Sequence, residues 1–60
     1  MLYDVTLCYK LRKDLQGSFE RSQIIVSALN KKEAERSAKE RLKEDLDISE
    51  FYYVLAENSK

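Results

Sequence analysis

Residues 2–12 alternate. Tyr3, Val5, Leu7, Tyr9 and Leu11 fall on one side of an extended chain, and Asp4, Thr6, Cys8, Lys10 and Arg12 on the other. Alternation with aromatic and β-branched residues predicts a half-buried strand. On a helix the same apolar positions would spread around the circumference, so a helical reading fails. The segment Lys13–Ser18 reads as a turn, and it holds Gly17, the only glycine of the chain. Glycine supplies positive φ at no steric cost, though a merely flexible loop glycine fits the same pattern. So short a connection joins antiparallel neighbours as a hairpin.

A second strand is expected over Phe19–Leu29. Ile24, Val26 and Ala28 share one side; Phe19, Arg21, Gln23, Ile25, Ser27 and Leu29 share the other. The first set is assigned to the core, because Ala28 is small and adjoins the next element. Asn30 then reads as a helix N-cap, with Glu33 three residues on as in a capping box. From there to about Leu46, Ala34, Ala38, Leu42 and Leu46 recur every fourth residue in a run of strong helix formers. Lys31 with Glu35, Glu35 with Lys39, Arg36 with Glu40, and Arg41 with Asp45 stand four apart. Each such pair contributes about 0.2–0.5 kcal/mol to a helix.

Asp47 and Ser49 read as a connection. Phe51-Tyr52-Tyr53-Val54-Leu55-Ala56 reads as a third strand with no polar residue, as in strands covered on both faces. Phe51, Tyr53 and Leu55 are assigned to the helix side with Tyr52, Val54 and Ala56 turned away; the pattern leaves the reverse open. These elements predict one α+β domain over residues 1–60. It has a three-stranded antiparallel sheet in β-β-α-β order, strand order 2-1-3, with one helix on one face.

Composition sharpens this picture. A chain of 60 residues buries about 60% of the surface its unfolded form exposes, so its core is marginal. A single cysteine, Cys8, cannot form an internal disulfide, and the absence of histidine removes the common zinc sites. No cofactor and no metal are implied. Small scaffolds without such staples often gain burial from a partner, so a homodimer, through the open sheet face or through an edge strand, is a candidate state. The 11 basic residues balance the 11 acidic ones, which argues against a dedicated duplex-DNA binder. The apolar runs are too short to span a bilayer, and the first residues do not read as a signal peptide. A free cysteine then fits a reducing cytoplasm.

Candidate chemistry is sparse. Nucleophilic catalysis needs a base beside the nucleophile, and no histidine serves Cys8 or the serines. A surface lysine is a better reading of each Ser–Lys combination than a catalytic pair. A phosphate cradle needs glycines, and a domain this small has little room for a pocket of about 300 Å³. The chain therefore reads as a non-enzyme. Its leftover apolar residues suggest a protein-binding surface comprising Phe19, Arg21, Ile25, Tyr52 and Val54, rimmed by Thr6 and Gln23. The alternative is a single-stranded nucleic-acid module, with Tyr52 and Phe19 as stacking rings and Lys10, Arg12, Lys13 and Arg21 as a basic edge.

Val26-Ser27-Ala28, followed by Glu33-Ala34, Ala38 and Leu42, resembles the strand-then-helix segment of many small accessory domains of bacteria and their phages. Some anti-CRISPR inhibitors are built this way. The resemblance is one of packing pattern. It implies a protein that occludes or modulates a larger one, and it transfers no binding residue. The function expected is a non-catalytic protein–protein interaction module, such as an inhibitor or accessory factor of phage or mobile-element type.

Overall fold

The computed structural model describes residues 1–14 and 16–59. Elements follow in the order β1 (Leu2–Leu11), β2 (Phe19–Ser27), α1 (Lys31–Asp45) and β3 (Ile48–Asn58). β1 is the central strand of a sheet ordered β2-β1-β3, antiparallel to both neighbours. β2 and β3 therefore run in the same direction with β1 between them, and α1 forms the crossover. The expected α+β fold and strand order are both present.

β1 shows why this arrangement forms. Tyr3, Val5, Leu7 and Tyr9 are buried while the residues between them are only half-buried, so the sequence alternation is the burial alternation. Val5 and Leu7 are fully covered. Each such side chain contributes about 1.5–3 kcal/mol by leaving water. They meet Ala34 and Ala38, whose small side chains let the helix come close to the sheet, and Leu42 one turn further on. Tyr9 enters the core with its polar tip satisfied: its hydroxyl shares a 2.8 Å hydrogen bond with the Ser22 hydroxyl. Its ring meets Phe51 edge-to-face at 6.3 Å.

Local chemistry sets the boundaries. Gly17 has φ +76°, the left-handed region expected of it. An added Cβ there would also approach Lys10 Nζ to 3.3 Å. Asp14 Oδ1 accepts from the Gln16 amide at 3.0 Å, an Asx turn inside the hairpin connection. Leu15, part of the same expected turn, lies outside the described residues. Asn30 caps α1, accepting through Oδ1 from the Glu33 amide at 2.9 Å.

Four features differ from the sequence reading. The helix stops at Asp45, and Leu46 leaves it with extended backbone (φ −128°, ψ 145°). Leu46 is therefore exposed instead of joining the core. None of the four charge pairs along α1 closes to 4 Å. Among the described residues the one ion pair is Arg12 with Asp47, Nε to Oδ1 at 3.1 Å. Long solvated side chains lose too much entropy when pinned at a helix surface. β2 ends at Ser27, two residues early, and β3 begins at Ile48, so Ser49 lies within a strand.

The fourth difference concerns β3. Cys8 pairs with Tyr53, but Tyr9 pairs with Phe51, so Tyr52 is an extra residue in a β-bulge. A second shift leaves Ser49 between the Lys10–Glu50 and Leu11–Ile48 pairs, with its hydroxyl donating to the Lys10 carbonyl at 3.1 Å. One extra residue reverses the phase of everything beyond it. Phe51 faces the helix as expected. Past the bulge, Val54 and Ala56 face the helix, and Tyr53 and Leu55 face away. The assignment of Tyr53 and Leu55 to the core is thus corrected, and so is that of Val54 to the open patch. Ile48, buried opposite Leu11, joins the core as well.

This phase reversal gives a measurable contrast. Val54→Ser should lower the unfolding free energy by about 1–2 kcal/mol. Leu55→Ser, although it removes a larger side chain, should change it by no more than about 0.5 kcal/mol. Urea unfolding at low protein concentration checks the order, and a larger loss at Leu55 would refute the bulge. Asn30→Ala should cost about 1 kcal/mol through loss of the cap, read in the same titration.

Candidate functional site: the open face of the sheet

One face of the sheet carries α1, and among the described residues no element lies on the other. Directly paired residues of antiparallel strands share a face. The open face can therefore be read as rows across β2, β1 and β3. They run Ile25–Asp4–Glu57, Gln23–Thr6–Leu55, Arg21–Cys8–Tyr53 and Phe19–Lys10–Glu50. Tyr52, extruded by the bulge, adds a second aromatic ring beside Tyr53, at 5.8 Å between centroids. Tyr52 also meets Phe19 at 5.0 Å, reaching across β1 toward the row that holds Lys10.

The face is apolar in patches and charged at its ends. Ile25 is 56% exposed, Tyr52 68%, Leu55 51% and Phe19 46%. Its centre is Thr6, Gln23 and half-buried Cys8, with Gln23 Nε2 donating to Thr6 Oγ1 at 3.4 Å. Asp4 and Glu57 lie toward one end. Lys10 and Arg21 lie toward the hairpin end, where Glu50 stands beside Lys10.

The residues expected to bind a partner separate accordingly. Phe19, Arg21, Ile25 and Tyr52 come together on this face; Val54 packs on the helix side. Tyr53 and Leu55 take its place. No residue pattern marked them, since residues 51–56 are uniformly apolar and a bulge leaves no signature in such a run. The basic set is scattered. Lys10 and Arg21 lie on the face, and Lys13 is exposed in the hairpin connection. Arg12 is tied to Asp47, both through its side chain and through its amide, which donates to the Asp47 carbonyl at 2.9 Å.

A second concavity lies between α1 and the outer edge of β3. It is an open groove of about 700 Å³, lined by Lys32, Arg36 and Lys39 with Glu35 and the tyrosines Tyr52 and Tyr53. The groove is open to solvent rather than enclosed. Lys39 Nζ and Lys43 Nζ stand 5.5 and 5.9 Å from the Phe51 ring, within cation–π range. Glu35 Oε2 accepts from the Ala56 amide at 3.4 Å and so covers one donor of the β3 edge.

Fold and face together define a small split β-α-β protein with one bare sheet surface. Among the described residues no helix is long and apolar enough to cross a membrane. No protein-family model, curated protein or solved structure matches the chain.

Proposed function

We propose that this chain is a non-catalytic protein-binding module that contacts its partner through the open face of the sheet. The observation that carries this reading is that Ile25, Leu55 and Tyr52 are each more than half exposed on one surface. Apolar side chains left together in water cost free energy that a partner recovers, and tyrosine is enriched where partners dock. The sequence supports the non-catalytic part, since no histidine is present to activate Cys8 or a serine. A role as an inhibitor or accessory factor of phage or mobile-element type, in a reducing cytoplasm, completes the proposal. It follows the strand-then-helix resemblance and the free thiol.

Single-stranded nucleic acid is the second reading. The Phe19–Tyr52 ring pair, with Lys10 in the row of Phe19 and Arg21 in the next, favours it. Glu50 beside Lys10, Asp4 and Glu57 on the same face, and zero net charge weigh against it.

Affinity capture from a bacterial lysate, with and without nuclease, separates the two. The wild-type chain should retain protein that survives nuclease. The folded double variant Ile25→Asp/Leu55→Asp should lose it. The retained complex should respond little to salt, whereas phosphate contacts weaken steeply between about 50 and 200 mM. Recovery only of nuclease-sensitive material, or equal capture by the double variant, would overturn the reading.

A further inference from the structure

We infer that the occupant of the open face is a second copy of this chain, packed sheet on sheet about a two-fold axis that lies between the copies and runs perpendicular to the strands. The inference rests on the reading of that face as a protein-binding surface, and it deepens it by naming the partner and its register.

The warrant is self-complementarity. A two-fold axis in that direction, crossing β1 between Thr6 and Cys8, lays each strand antiparallel over its own copy. It maps the Asp4 row of one chain onto the Lys10 row of the other, and the Thr6 row onto the Cys8 row. Every position on the rows of β1 and β2 then meets a suitable one. Asp4 of one copy faces Lys10 of the second, and symmetry repeats the pair. Ile25 faces Phe19, Leu55 faces Tyr53 beside Tyr52, and Gln23 faces Arg21. Glu57 and Glu50 are the exception, and they lie on the outer strand β3, at the rim where water screens them. The other in-plane axis, parallel to the strands, would place Asp4 on Asp4 and Lys10 on Lys10. The charges of the central strand therefore favour the first of these two arrangements.

Size and spacing agree. Two sheets packed in this way stand about 10 Å apart, the distance that interdigitating Ile, Leu and Tyr side chains fill. Strands spaced about 4.8 Å apart, each rising about 3.3 Å per residue, give a face of roughly 30 by 14 Å. With side-chain relief, the two copies together would cover on the order of 1,000 Å², the lower limit of a specific interface. Such a dimer would also give the chain the second apolar layer that a 60-residue core lacks.

The test is a charge exchange read by sedimentation equilibrium. Asp4→Lys gives a chain with lysine at both positions, and Lys10→Asp gives one with aspartate at both. In the inferred register each variant alone sets like charges against each other twice. Each should raise the dimer dissociation constant by at least about tenfold. An equimolar mixture should restore it to within about threefold of the wild type, because both pairs re-form between unlike chains. Recovery in the mixture also shows that both variants are folded. A wild-type chain that stays monomeric up to about 0.5 mM would overturn the inference. So would single variants that associate like the wild type, or a mixture no stronger than its components. The protein-binding reading fails separately, if Ile25→Asp/Leu55→Asp changes neither sedimentation nor capture.

Discussion

The structure depends on the packing of the inner side of β1 against the alanines of α1. Val5 and Leu7 sit at the middle of the central strand, hydrogen-bonded to a neighbour on each side, and are fully covered. Ala34 and Ala38, likewise fully covered, permit the short distance that makes this contact dry. β2 and β3 gain their places by pairing with β1, and α1 gains its place by lying across it. With one helix and three strands there is a single apolar layer, so one face of the sheet is left to water or to a partner.

The bulge at Tyr52 decides what that bare face looks like. A regular β3 would keep Phe51, Tyr53 and Leu55 on the side of the helix. The extra residue instead admits Val54 and small Ala56 beneath α1, which suits a helix already close to the sheet. It sends Tyr53 and Leu55 outward to join Tyr52, Phe19 and Ile25. The same irregularity thus completes the core and builds the aromatic end of the candidate interface. Bulges often occur where a strand must re-aim side chains at a functional surface.

Electrostatics on the open face has a direction that net charge conceals. The chain sums to zero, yet the face carries Asp4 and Glu57 toward one end, and Lys10 and Arg21 with Glu50 toward the other. A dipolar, partly apolar surface favours an oppositely ordered partner over a uniformly charged polymer, which is why the protein-binding reading is preferred to nucleic acid. The groove beside β3 mixes lysine and arginine with glutamate along a solvated helix. Its charges show no comparable ordering.

Much of the fold was legible in local pattern. β1, the hairpin glycine, the Asn30 cap and the Ala34–Ala38–Leu42 stripe all follow from period, capping and conformational preference, which act over a few residues. The open face was half legible: Phe19, Arg21, Ile25 and Tyr52 could be placed, because β2 keeps strict alternation and Tyr52 lies at the bulge itself. The inward side of residues 53–56 could not be read. Each is apolar or aromatic, so transfer from water favours burying either side, and the sequence leaves the two phases nearly equal. Contact with α1 breaks that tie, since Val54 and Ala56 fit under a closely packed helix where Tyr53 and Leu55 would not. The end of the helix before Leu46 was likewise settled by distant contacts, as β3 returns to pair Ile48 with Leu11. The sequence by itself determined the elements and their caps. The tertiary structure decided the phase of β3, and with it which side chains lie on the open face, because that choice depends on residues brought together only by folding.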